Sequence, residues 1–266
     1  MTVTFIAGGA GKTGGRVADR LHTLGLEYRL ASRSTRPRFD WTDDTTWAPA
    51  LAGCGRAYLA FQPDVGIPGA AETIGALARA AVTAGCTRLV LLSGRGEQGA
   101  QRSEEALAAS GADWTVVRAA FFAQNFTEGF WADQMADGSL AMLDHRAAEP
   151  FVDADDIADV VVACLTRPGH GGVVHELTGP RLLTFADAVA EIGRLTGRPI
   201  SYRPLPAAEF TATLVDAGWP AGDADGLTAL FGEVLDGRNA HVTDGVRRVL
   251  GRAPRDLTDV LPARHP

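Results

Sequence analysis

The sequence predicts an α/β fold: a doubly wound parallel sheet joined to a smaller, mostly helical C-terminal part. Three observations carry this. Short β-favouring runs alternate with amphipathic helical stretches through the first half of the chain. Arg88–Leu92 reads as an apolar strand without a polar break, the pattern of a strand buried on both faces. The first run, Val3–Ala7, empties into glycines and passes at once into a helical pattern.

In chain order, Val3–Ala7 is read as a strand and Lys12–Leu24 as a helix with Val17, Leu21 and Leu24 on one face. Glu27–Ala31 is a second strand, Arg38–Asp40 a short third and Trp47–Leu51 a short helix. Ala57–Phe61 is a strand ending at Gln62-Pro63, and Pro68–Ala84 a helix. After the 88–92 strand come a helix over Ser103–Ser110 and a strand over Trp114–Val117. Ala120–Ala136 reads as an aromatic-rich helix. Asp153 caps a helix through Leu165, closed by Arg167-Pro168-Gly169. Val173–Leu177 is one more strand, Thr184 caps a helix to Thr196, and Ile200–Arg203 is a short strand. Short helices follow from Pro206.

Composition narrows the function classes. With 266 residues, 46% hydrophobic and 21% charged, the chain has the make-up of an ordinary globular protein. No apolar run reaches the roughly 18 residues of a membrane span. No basic segment precedes the first apolar run, so it is read as a strand and no secretory leader is expected. A net charge of -7 disfavours a nucleic-acid partner. Cys54, Cys86 and Cys164 are far apart, match no metal or redox motif, and are read as small buried thiols. His170, His175 and His241 match no ligand pattern, so no metal is expected. A reducing cytoplasm suits all of this.

The glycines after the first strand define the candidate ligand. Gly8, Gly11 and Gly14 are spaced G-x-x-G-x-x-G between strand and helix. The first permits a tight turn, the second lets a pyrophosphate approach the backbone, and the third lets the helix pack on the strand. The phosphates would sit on free N–H groups at the positive end of the helix dipole. Gly11-Lys12-Thr13 resembles the end of a triphosphate-binding loop, but Ile6 stands where that motif needs its first glycine. The strand before the loop and the helix after it favour a dinucleotide over a turn without ligand. The expected division is a dinucleotide-binding domain over 1–150, and a part over 151–266 that completes the sheet and forms the substrate-binding subdomain. The stretch Leu30-Ala31-Ser32-Arg33-Ser34-Thr35-Arg36 holds no carboxylate for a ribose 2′-hydroxyl. Its two arginines and flanking hydroxyls suit a 2′-phosphate, so NADP(H) is the expected cofactor.

The chemistry is constrained by an absence. Lys12 is the only lysine, and it lies in the glycine loop. The tyrosines are Tyr28, Tyr58 and Tyr202, so a Tyr-x-x-x-Lys proton-donating pair cannot form. His145 and the Asp153, Asp155, Asp156 cluster are weighed as acid/base groups, the cluster more simply as a helix start. Phe130 and Trp131, at helical spacing from Phe126, read as core or pocket wall rather than catalysts.

Four segments carry a resemblance: Gly8-x-x-Gly11-x-x-Gly14; Leu91-Leu92-Ser93-Gly94-Arg95-Gly96; Val117-Arg118-Ala119-Ala120-Phe121-Phe122-x-Gln124-Asn125-Phe126; and Pro150-Phe151-Val152-Asp153-x-Asp155-Asp156-Ile157-Ala158. With them the chain resembles the NmrA-like group of atypical short-chain dehydrogenases, whose sheet is a Rossmann sheet. Phe39-Asp40-Trp41-Thr42-Asp43-Asp44 makes it similar to the festuclavine/agroclavine dehydrogenase subgroup. The resemblance implies that Gly8, Gly11, Lys12, Thr13 and Gly14 bind pyrophosphate and that Arg33 and Ser34 bind the 2′-phosphate. It implies that Phe61, Gln62 and Pro63 border the adenosine, and that Ser93, Gly94 and Arg95 reach the nicotinamide ribose. Phe121, Gln124 and Asn125 would face nicotinamide and substrate, with Arg95, Gln124 and Asn125 acting in catalysis and Phe121, Phe122 and Trp131 lining the substrate. The implied activity is NADPH-dependent reduction of a small organic molecule, an imine or iminium, quinone or ketone. The alternative is a non-catalytic NADP(H)-sensing regulator. The lysine acid/base of the lignan reductases in this group has no counterpart here, which favours an iminium, quinone or flavin acceptor.

Overall fold

The computed structural model describes residues 2–261. The elements are β1 (Val3–Ala7), α1 (Lys12–Thr23), β2 (Tyr28–Ala31), α2 (Trp47–Leu51), β3 (Cys54–Leu59), α3 (Ala70–Thr83), β4 (Arg88–Gly94), α4 (Gln98–Ala108) and β5 (Asp113–Ala119). They continue with α5 (Phe130–Ala136), β6 (Ser139–Leu143), β7 (Ala148–Glu149), α6 (Ala154–Thr166), β8 (Val173–Leu177) and β9 (Leu183–Thr184). Last come α7 (Phe185–Thr196), β10 (Ser201–Leu205), α8 (Ala207–Asp216), α9 (Ala221–Val234) and α10 (Gly245–Leu250).

The chain forms two compact units. The first takes the chain up to Ala119 together with Ala154–Leu177 and Asp244–Ala253. Its six strands are all parallel, in the order β2-β1-β3-β4-β5-β8. This is the doubly wound Rossmann sheet that the alternating pattern predicts. Phe5, Ile6, Leu89, Val90 and Leu91 are fully buried, as central strands covered on both faces require. The order reverses between β1 and β3, which places the ligand-binding crevice at their carboxyl ends.

The second unit takes Ala120–Asp153, Thr178–Thr243 and the chain from Pro254 on. It contains the parallel pair β6–β10, the short antiparallel pair β7–β9, and helices α5, α7, α8 and α9 around an aromatic core. Thr184 and Asp187 form a reciprocal capping box at the start of α7. These units divide the chain differently from the expected boundary at 150/151. The chain returns twice to the first unit: β8 pairs with β5, and α10 packs on β8 so closely that a side chain at Gly245 would strike the Glu176 carbonyl.

Three local expectations are corrected. Arg38–Asp40 is not a strand. Phe39 turns inward against Phe5 and Trp41, with ring centroids 5.2 and 5.1 Å apart. Asp40 is held by the Trp47 indole N–H at its carbonyl (2.8 Å) and by Thr42 at its carboxylate (2.9 Å), so its polar groups are spent locally. The segment 120–136 is not one helix. Val152 pairs with it through Val152 N–H to Phe121 O (2.9 Å) and Ala123 N–H to Val152 O (2.8 Å). A single 3-10 turn follows at Ala123–Phe126, and Gly129, at φ 81°, resets the chain before α5. The helix placed at 103–110 begins at Gln98.

The aspartates of α6 serve the fold. Arg20 pairs with Asp155 at 2.7 Å and with Asp159, and Arg16 reaches Asp155 at 3.3 Å, fastening α1 to α6. Arg252 pairs with both Asp156 and Asp159 at 2.7 Å. The Asp156 side chain is wholly buried, so its charge depends on partners. Arg252→Ala should therefore lower unfolding free energy by about 2–3 kcal/mol. Arg248→Ala, which breaks only an exposed pair with Asp244, should cost less than about 0.5 kcal/mol in the same urea titrations.

Candidate functional site

The turn after β1 is built by steric demand. Gly8 has φ +80°, and a side chain there would lie 3.0 Å from the Ala60 carbonyl beyond β3. A side chain at Gly14 would collide with the Gly8 carbonyl oxygen. Gly11 differs: its φ is -83°, it accepts an ordinary backbone conformation, and the nearest atom to a Cβ is the Gly8 oxygen at 3.3 Å. Gly11 is the N-cap of α1 and supplies no side-chain cap, a kind of helix start that suits an anion. Gly11 N–H closes the turn on Gly8 O at 2.9 Å. The loop sits at the reversal between β1 and β3, where Gln62 approaches Gly11.

Lys12 is partly buried at the start of α1. The Thr13 hydroxyl is turned inward to the Tyr58 phenol at 2.9 Å. Burial pushes the Tyr58 hydroxyl far above its usual range. Arg33, Ser34 and Arg36 follow β2 on an exposed turn, held by a Ser32–Ser34 hydroxyl contact of 3.0 Å and by Thr35. Among the described residues neither Arg33 nor Arg36 forms an ion pair, so both guanidinium groups face solvent near the carboxyl end of β2. Phe61 packs edge-on against Trp41 at 4.8 Å, and Gln62 and Pro63 are exposed beside the loop.

Ser93, Gly94 and Arg95 are brought together at the carboxyl end of β4. Ser93 Oγ donates to Glu104 at 2.5 Å. The Arg118 guanidinium is shared between Glu104 and Glu176, the latter at 3.0 Å, and Arg95 lies 4.0 Å from Glu176. These carboxylates hold the Arg118 guanidinium above its usual range. Arg95 is only 5% exposed and stands at the edge of this network, its Nε 4.0 Å from Glu176. The network was not legible in the sequence: Glu104 and Glu176 lie on α4 and β8 and meet only through the sheet order.

In the second unit, Phe121 and Phe122 stay partly exposed, and Gln124 is buried beside partly exposed Asn125. Trp131 is a core residue, 7% exposed, packed against Phe121, Phe126, Phe185 and Phe231. His145 packs edge-on against Phe185 at 4.9 Å, and burial lowers its proton affinity. Tyr202 is likewise half-buried, its hydroxyl pushed up to about 12 by burial. Among the described residues no helix is long and apolar enough to cross a membrane.

Known proteins place this architecture. The chain is 30% identical to an uncharacterised oxidoreductase, YesF, of Bacillus subtilis, over 97% of this chain and 94% of that one. It is 29% identical to an agroclavine dehydrogenase of Claviceps fusiformis, over 98% and 96% of the two chains. In structure it is similar to the Escherichia coli NADPH-dependent quinone oxidoreductase QOR2, solved with NADPH (TM-score 0.80, 21% identity, 96% and 97% coverage). No family model matches the chain. The fold and these relatives define an oxidoreductase. The chain belongs to the family that holds these relatives, the NmrA-like branch of the atypical short-chain dehydrogenases.

The glycine geometry separates two substitutions. Gly11→Val should leave the melting temperature within a few degrees while abolishing dinucleotide binding in calorimetry, because its side chain enters the phosphate approach. Gly14→Val should unfold or strongly destabilise the protein. Wild-type cofactor affinity in Gly11→Val would show that the loop is only a turn.

Proposed function

We propose that this chain is an NADP(H)-dependent reductase of a small, electron-poor organic molecule. The observation that carries the cofactor choice is the turn after β2. Arg33 and Arg36 project into solvent without an acidic partner, one strand from the glycine loop. Guanidinium forks there suit a 2′-phosphate, whereas a neutral 2′-hydroxyl gives them no charge to pair. The residues fit the rest of the cofactor as well: the uncapped α1 N-terminus takes the pyrophosphate, and Gln62 and Pro63 border the adenosine side. When bound, NADPH supplies a hydride.

The protein's own residues do the positioning. The Ser93–Glu104–Arg118–Glu176 network holds the carboxyl ends of β4 and β5 and sets where Gly94 and Arg95 stand. Within the second unit, Gln124 and Asn125 are the polar groups proposed to orient the substrate, with Phe121 and Phe122 as its apolar wall; in the first unit, Arg95 at the end of β4 is the proposed catalytic side chain. No phenol is offered as acid. Tyr58 is locked to Thr13, and burial makes the Tyr202 hydroxyl a weaker acid than a free phenol. An iminium or quinone fits this set, since an iminium becomes a neutral amine on hydride addition and a quinone takes its proton from solvent. The work left to the protein is proximity and electrostatic fit.

Two expectations follow. Arg33→Ala should weaken NADPH tenfold or more, the loss of a charge-assisted contact of about 1.5–3 kcal/mol, and leave NADH nearly unchanged. Calorimetry showing equal losses for the two cofactors contradicts the assignment. Tyr58→Phe and Tyr202→Phe should each keep reduction of a quinone or iminium acceptor within a few-fold of wild type. A collapse of turnover in either folded variant would restore a phenol acid and ketone chemistry.

A further inference from the structure

The fold assembles a second constellation at the opposite end of the parallel sheet from the glycine loop. Cys164 lies in the last turn of α6, His170 in the turn that follows, and His175 in β8. The spacing C-x5-H-x4-H is no familiar ligand motif, which is why the sequence led to an expectation of no metal. The structure closes helix end, turn and strand on one another. One ligand atom from each residue lies within 4.8 Å of those of the other two. His170 Nδ1 and His175 Nε2 are 3.1 Å apart. That is near the roughly 3.3 Å separating two imidazole nitrogens on a tetrahedral zinc ion with bonds of about 2.0 Å.

We propose that Cys164, His170 and His175 form a zinc site, with the fourth position taken by solvent at His170. The donor set is one thiolate and two imidazoles, the chemistry of borderline and soft cations and not of Mg2+ or Ca2+. Cys164 is 1% exposed and His175 8%, while His170 is partly exposed and supplies the entry path. The site is also held by its surroundings. The His170 carbonyl accepts from Thr115 Oγ1 of β5 at 2.8 Å, which fixes the turn that carries the ring. His175 is in register with Val117 within the sheet. Binding forms a Zn–S bond and two Zn–N bonds; the Cys164 thiol proton leaves to solvent, the His170–His175 hydrogen bond is given up, and the ring that donated it shifts its proton through solvent to its other nitrogen.

Three cations face the cluster: Arg88 from β4, Arg167 from the turn and Arg248 from α10. Arg88 is paired with Asp113 at 3.0 Å and Arg248 with Asp244 at 3.1 Å, and Arg167 is exposed to solvent. Their repulsion of a divalent ion is therefore offset or screened, and a thiolate ligand removes one further unit of charge from the bound metal. The site is far in sequence from every residue given to the dinucleotide, and β8 carries it in the half of the sheet away from the β1–β3 reversal. Zinc here would brace the join of α6 to β8 and leave cofactor binding alone.

The test uses the full chain, stripped with a chelator and titrated with Zn2+ and with Co2+ as a spectroscopic stand-in. Wild type should bind one equivalent, show a thiolate-to-cobalt charge-transfer band, and melt several degrees higher with zinc. Cys164→Ala should lose the band although Cys54 and Cys86 remain. His170→Ala, at a partly exposed position that the fold tolerates, should weaken Zn2+ by more than about a hundredfold while NADPH affinity stays at the wild-type value. Absence of stoichiometric binding by wild type, or a band that survives in Cys164→Ala, would overturn the proposal and leave a neutral histidine pair beside a buried thiol.

Discussion

Everything in the first unit depends on how closely α1 can lie against the end of β1. Gly14 has no room for a side chain against the Gly8 carbonyl, and Gly8 has almost none against Ala60. That contact aims the first turn of α1, which has no side-chain cap, at the point where the strand order reverses. The ion pairs from Arg16 and Arg20 to Asp155 and Asp159 hold the other side of α1 against α6. The turn and the placement of the helix start thus follow from backbone packing alone.

A second layer is electrostatic. Glu104 and Glu176 collect Ser93, Arg95 and Arg118 into one network at the strand ends. Buried charges of this kind are costly unless all are paired, so they define where β4 and β5 end. Arg95 is part of that frame, buried at the carboxyl end of β4 beside Glu176. The proposed chemistry suits such a frame. It asks for orientation and asks no side chain to surrender a proton.

Much of the fold was legible because periodicity reports burial. The buried strands of the sheet and the capped helix α7 read directly from alternation, apolar runs and the Thr184 cap. The turn after β1 was legible because two of its glycines, Gly8 and Gly14, stand where a side chain does not fit. What failed to read were places where tertiary contacts overrode local pattern. Phe39 is drawn into the core by Phe5, so a β-like stretch is no strand. Val152 captures the backbone of residues 121–123, so an aromatic-rich stretch with helical spacing opens as a 3-10 turn. The interleaving of the two units, the Glu104–Arg118–Glu176 network and the Cys164–His170–His175 cluster join residues distant in sequence, and only the strand order brings them together.

The central claim is that hydride transfer here proceeds from NADPH without a side-chain proton donor. The direct test is single-turnover oxidation of bound NADPH by a quinone or iminium acceptor, with deuterium placed in turn at the transferred C4 position and in the solvent. The account predicts slowing by the C4 label and almost none by deuterated solvent. A large solvent effect would require a proton in flight at the transition state, and tight NADPH binding with no oxidation by any acceptor would point to a sensor; either result contradicts it.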